Sequence, residues 1–167
     1  MNRLWTPWRM AFIQGEKPTG CIFCLKPKEG NDRANYILAR GRHNFVMLNA
    51  YPYTTGHLMV VPYAHVASIE DLPPEAAAEM MALAKHAVSV LRRAEKATAF
   101  NVGINIGKAA GAGIADHVHL HVVPRWEGDS NFMPVIGDTR LLPETLDTTY
   151  AKLSRAGIAT LPEGQSD

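Results

Sequence analysis

Alternation of apolar and polar positions divides the chain into short period-two runs separated by turn residues, with one stretch of helical period between them. Asn35 to Arg40 and His43 to Asn49 are apolar or alternating runs punctuated by Gly41-Arg42, which predicts two antiparallel strands joined by a tight turn. After the turn cluster Tyr51-Pro52-Tyr53-Thr54-Thr55-Gly56, the run His57-Leu58-Met59-Val60-Val61 predicts a third, central strand stopped by Pro62. Ala77, Met80, Ala84, Ala87, Val88 and Leu91 then recur at helical spacing behind a first turn holding Pro73, Pro74 and Glu75. Asp71 or a neighbour is the candidate cap of this helix, and Arg92 and Arg93 suit its carboxyl end. Phe100 to Ile106 alternates as a fourth strand, Gly107 to Gly113 is a loop of small residues, and Asp116 to Pro124 reads as a fifth strand. A short C-terminal helix is expected near 143–155.

Strands in runs with a single long helix between them predict an α+β fold: a five-stranded antiparallel sheet covered on one face by that helix. Residues 1–34, rich in Gly, Pro, Lys and Trp, read as an extended arm on a single domain spanning 1–167. No repeat or low-complexity segment is visible.

Composition narrows the function classes. A chain of 167 residues, 47% hydrophobic and 20% charged, buries one core. A net charge of +1 provides no broad field for nucleic acid, so selection of a substrate must be local. The apolar runs are too short to cross a bilayer and the amino end has no signal-peptide stretch, so neither a membrane nor export is expected and a cytoplasmic location follows. Cys21 and Cys24, with two residues between them, argue against a disulfide framework and leave metal ligation or redox chemistry open.

The chemistry concentrates in His117-Val118-His119-Leu120-His121-Val122-Val123-Pro124-Arg125, where imidazoles alternate with apolar residues and share one face of a strand. At a rise of ~3.3 Å per residue, the outer two stand ~13 Å apart, a span that suits an elongated polyphosphate. Three readings fit this row. Ordinary surface or core histidines are the plainest, but three of seven histidines falling at every second position is hard to credit to chance. A metal site built on the triad is the second, although its nearest carboxylates, Glu127 and Asp129, lie beyond a Pro-Arg break expected to end the strand. Nucleophilic catalysis explains more: a neutral imidazole nitrogen can attack phosphorus, splitting one hard displacement into two easier ones, while its other nitrogen needs an orienting acceptor.

Residues 117–123 and the segment Gly56-His57-Leu58-Met59-Val60-Val61-Pro62 resemble the histidine-triad family, and the likeness covers most of 21–126. The resemblance implies that His119 is the nucleophile, that His121 contacts phosphate and assists the leaving group, and that His57 is a further phosphate-facing histidine. It implies a ribose contact from Asn49, eight residues before His57, and a phosphate or ribose contact from Asn105. Gly111, Gly113, His117, Arg125 and Trp126 complete the substrate-facing set, His117 being the more structural member of the triad. Many family members carry a Gly-Gln pair before the triad; here Gly111 is followed by Ala112 and Gly113, so loop amides would replace that contact as an anion nest. The same loop is not a Walker motif, since Lys108 is followed by Ala109 where Ser or Thr should hold magnesium.

Leu4-Trp5-Thr6-Pro7-Trp8-Arg9 and the segment from Pro124 to Phe132 look like the family branch containing diadenosine tetraphosphate phosphorylases. That likeness implies cleavage of a nucleotide or dinucleoside polyphosphate through a nucleotidyl-histidine, with inorganic phosphate or water as acceptor and no organic cofactor. A nucleoside phosphoramidate hydrolase, or a nucleotide-binding protein with little catalysis, is the alternative. Members of the wider superfamily complete a structural zinc site with residues corresponding to His65 and His117 beside Cys21 and Cys24. Members usually associate as homodimers or higher homo-oligomers through the long helix and a sheet edge. His43 and His86 are expected to be solvated.

Overall fold

The computed structural model describes residues 20–129 and 142–161. Five strands, β1 (Ile37–Arg40), β2 (Asn44–Leu48), β3 (Leu58–Pro62), β4 (Ala99–Ile104) and β5 (Leu120–Arg125), form one antiparallel sheet in the order β1-β2-β3-β5-β4. Among the described residues three α-helices accompany it: α1 (Ile22–Leu25), the long α2 (Pro74–Ala94) and α3 (Leu146–Arg155), toward the C-terminus. The expected α+β architecture, with β3 central, is the one observed.

Strand alternation sorts the apolar residues onto two faces. Val46, Leu48, Leu58, Val60, Leu120 and Val122 point toward α2, where they bury against Met80, Leu83, Ala87 and Leu91. Leu153 of α3 and Ile158 join the same core. The opposite face carries Phe45, Met47, Met59 and Val61, and Phe23 of α1 packs onto it. That second face is the one that bears the histidines.

Several local expectations are corrected. The β1–β2 turn falls one residue later, at Arg42-His43, because the Gly41 N–H donates to the Asn44 carbonyl (2.8 Å). The buried Glu79 of α2 fixes that turn by accepting from the Arg42 and His43 amides at 2.7 and 2.8 Å, and from Asn44 Nδ2 at 2.7 Å. A Cβ on Gly41 would stand 2.9 Å from Glu79 Oε1, so only glycine leaves room for the carboxylate. Asp71 ends a short 3₁₀ turn and does not cap α2; Pro73 precedes the helix and Pro74 opens it, removing an amide that would need capping.

The fifth strand begins later than expected, at Leu120 and not Asp116, yet 117–119 keeps the alternation because the Val118 N–H donates to the Val66 carbonyl (2.7 Å). At its far end β5 runs through the Pro-Arg pair to Arg125. The Pro124 carbonyl faces Thr54, whose hydroxyl donates to it at 2.9 Å, so the missing proline N–H lies on the side where β3 has already ended. The arm is not wholly extended: its described part coils into α1 and a 3₁₀ turn, and the rest lies outside the described residues, as do the amino-terminal Trp motif and Phe132. His86 is half-buried and holds the Ile158 carbonyl at 3.2 Å, tying α2 to the segment after α3.

Candidate active site and metal centre

Met59 of β3 pairs with His121 of β5, so His57, two residues earlier on the same face, lies diagonal to His121. The three triad rings follow one another along that face: Phe23 touches both His117 and His119, and the His119 and His121 ring centroids are 4.8 Å apart. Hydrogen bonding sets the state of each ring. His119 Nδ1 donates to the His117 carbonyl at 2.9 Å, which leaves Nε2 as a bare lone pair. The Tyr53 amide donates to His57 Nδ1 at 3.1 Å; His57 Nε2 therefore carries the proton and donates to His121 Nδ1 at 2.9 Å. His121 in turn keeps its proton on Nε2. One nucleophile and one hydrogen-bond donor thus stand side by side.

The rings are neutral near pH 7. Burial, then the neighbouring His121 and His119, pushes His57 down to about 3. Burial, then His119, pushes His121 down to about 4. His119 is also lowered by burial, with its bond to the His117 carbonyl opposing the shift. The unfolded chain binds protons at an ordinary histidine value of about 6.5, above both folded values, so stability rises with pH across this interval. It is fully present above about pH 6.5 and is lost progressively as pH falls from there toward the folded values of about 4 and 3. Denaturant midpoints should therefore fall between pH 6.5 and 4, and this slope should flatten in His57→Gln; an equal slope in that variant would contradict the assignment.

A cavity of about 810 Å³ meets the histidine row at His121, the end remote from His117. Tyr53, Asn101, Asn105, Arg125 and Trp126 also line it. Arg125 is engaged by Asp129 through a bidentate pair at 2.6 and 2.7 Å and by Asn101 at 3.1 Å. The Trp126 indole N–H donates to the Glu95 carbonyl at 3.0 Å. Asn49 lies beside His57, its amide nitrogen 3.4 Å from Nδ1 and its oxygen accepting the Tyr51 N–H at 2.9 Å.

Other expected members fall elsewhere. Gly111 takes a left-handed conformation (φ 85°) at the end of the turn Lys108–Ala110. Within the loop expected to offer an anion nest, the amides of Gly111 and Ala112 donate to the Lys108 and Gly107 carbonyls of their own turn. Gly113 lines a second cavity, of about 460 Å³, beside Cys21 and His65. His117 does not face the large cavity, because its Nε2 donates to the Pro62 carbonyl at 2.8 Å and its Nδ1 points at the cysteines. Besides Asn101 on the cavity wall, two aromatic residues with a place in the site escaped sequence reasoning. Tyr53 lies 4.7 Å from the His57 ring and 6.1 Å from that of His121, and Phe23 contacts two triad rings. The available signals were an aromatic residue four before His57 and an apolar one enclosed by the cysteine pair.

The donor atoms of Cys21, Cys24, His65 and His117 all lie within 4.8 Å of one another. Four separations are 3.3 Å (Cys21 to His117), 3.3 Å (Cys24 to His65), 3.6 Å (Cys24 to His117) and 3.2 Å (His65 to His117). A tetrahedron of two sulfurs at about 2.3 Å and two nitrogens at about 2.0 Å from zinc has edges of about 3.3–3.8 Å, so the donor set fits that ion. The proton on His117 Nε2 turns the Nδ1 lone pair into the cluster, as a metal ligand requires.

A two-layer α+β fold with alternating imidazoles opposite a Gly-His strand defines a histidine-triad protein. The HIT domain family model matches residues 33–128, and the chain belongs to that family. It is 40% identical over 162 residues to the AP-4-A phosphorylase of Mycobacterium tuberculosis, covering 92% of this chain and 83% of that protein. It is 31% identical to the adenosine 5'-monophosphoramidase of Saccharomyces cerevisiae, over 68% of this chain and 67% of that one. Among solved structures, a Zn-bound histidine triad family protein from Mycobacterium smegmatis superposes with a TM-score of 0.68 at 31% identity, covering 82% and 92% of the two chains. No helix among the described residues is long and apolar enough to cross a membrane.

Proposed function

We propose that this protein is a nucleotidyl-transferring enzyme that cleaves dinucleoside polyphosphates through a nucleotidyl-histidine formed on His119. The observation that carries the reading is the bare Nε2 of a neutral His119 beside a protonated Nε2 of His121. His119 Nε2 attacks phosphorus and the anhydride P–O bond breaks. His121 Nε2–H donates to the phosphate and then to the departing oxygen, while the His117 carbonyl holds the proton on Nδ1 of the charged adduct. An acceptor oxygen next attacks the same phosphorus, the P–N bond breaks, and neutral His119 returns. Asn49 beside His57 suits the ribose of the transferred half. The cavity beyond His121, with Asn105, Arg125 and Trp126 on its wall, suits the departing half.

Inorganic phosphate is the acceptor in this reading, supported by the likeness to the mycobacterial phosphorylase over most of the chain. The test is product analysis with diadenosine tetraphosphate: ADP plus ATP in phosphate buffer supports it, whereas AMP plus ATP with or without phosphate would make water the acceptor. Hydrolysis of nucleoside phosphoramidates is the second reading, favoured by the likeness to the yeast phosphoramidase.

Cys21, Cys24, His65 and His117 would hold zinc, which in that closed thiolate and imidazole set supplies a structural crosslink and no chemistry on phosphorus. Thiolate ligands need reducing surroundings, which fits a cytoplasmic setting. The chain acts as one domain in this reading, since α3 buries Leu153 in the same core as the sheet and α2. A homodimer is part of it too: β4 is a sheet edge whose Val102 is 46% exposed, an edge that a second copy can cover.

A further inference from the structure

We propose that Phe23 is a positioning residue for the His119 ring, seated there when a metal closes the Cys21–Cys24 turn. The inference rests on the reading of His119 as nucleophile. Phe23 stands between the two cysteines in α1, a helix of four residues with no side-chain cap, too short to hold itself. Its ring is 2% exposed and packs 5.0 Å from the centroid of His119 and 5.4 Å from that of His117. So deeply covered a ring has little surface for a substrate, but it bounds the space in which His119 can rotate.

A second route joins the same two places. The His117 carbonyl that accepts the His119 Nδ1 proton belongs to a residue whose own ring is fixed between the cysteines and the Pro62 carbonyl. A metal that holds Cys21, Cys24 and His117 therefore fixes both the acceptor that selects the His119 tautomer and the wall that blocks its rotation. Without that closure, the turn carrying Phe23 loses its anchor and His119 gains other orientations, in which Nε2 no longer points at phosphorus.

The test uses the full-length, zinc-loaded protein carrying Phe23→Leu, with Phe23→Met, closer in length, as the second variant if the first folds poorly. We expect kcat on diadenosine tetraphosphate to fall about tenfold with KM within about twofold of wild type, since misorienting a reacting group acts on the chemical step. Zinc content should be unchanged. Long-range ¹H–¹⁵N spectra of the histidine rings should show two His119 tautomers where wild type shows the Nδ1–H form alone. Zinc-stripped wild type should show the same mixture. A rise in KM with unaltered kcat, or a His119 spectrum identical to wild type in the variant, overturns the positioning role; an unaltered spectrum in the stripped protein overturns the link to the metal. The ring spectra need no turnover, so they remain readable even if His119→Ala keeps its activity and the nucleophile reading fails.

Discussion

His119→Ala is expected to lower kcat on diadenosine tetraphosphate by about 10⁴-fold or more while leaving the melting temperature within a few degrees. The size follows from the division of labour in the site. His119 alone combines a bare Nε2 with an acceptor for its Nδ1 proton, so no neighbour can substitute for it. His121 is coupled through Nδ1 to His57, and His57 is coupled to the Tyr53 amide, so their lone pairs are already engaged. His121→Ala removes a donor to the phosphate and should cost less, about 10²- to 10³-fold. Rapid quench of wild type with labelled substrate should trap an acid-labile nucleotidyl-protein that His119→Ala never forms. Turnover by His119→Ala at the wild-type rate would remove covalent catalysis by this histidine.

The second large effect concerns the metal. One zinc ion per chain should be found by elemental analysis, and Cys24→Ser or stripping with a strong chelator should lower the melting temperature by about 10 °C. Such a shift corresponds to roughly 3–5 kcal/mol for a domain of this size, a fraction of the gross binding energy of a structural zinc site because the unfolded thiols also bind metal. The reason for so large an effect is the weakness of what else holds the segment. α1 has four residues, its single fully buried side chain is Phe23, and Cys21 and Cys24 are otherwise free thiols. A zinc content near zero with an unaltered melting temperature in Cys24→Ser would show that the four donors meet for another reason.

The features behind both effects are visible in the residue order itself. Period-two alternation placed His117, His119 and His121 on one face even though only His121 lies inside β5, because the preceding residues stay extended by bonding to the Val66 carbonyl. Alternation is a property of extended backbone and survives where ladder pairing does not. The helix and its apolar stripe were equally legible, because burial of α2 on the sheet needs a side chain at each turn. Turn position and capping were less so. Glu79 reaches the β1–β2 turn from 36 residues away to fix its amides, an interaction that no local pattern announces.

The residue order thus determined the strand faces, the long helix, the histidine row and the close spacing of two cysteines three positions apart. Only the tertiary structure decided which ring nitrogen is bare, that His117 turns toward the cysteines, that the amides at 111 and 112 close on their own turn, and that Phe23 covers His119. The division has a physical cause. Periodicity is set by backbone geometry that each residue shares with its neighbours along the chain, whereas tautomer, solvation and ring orientation depend on atoms brought close from distant positions.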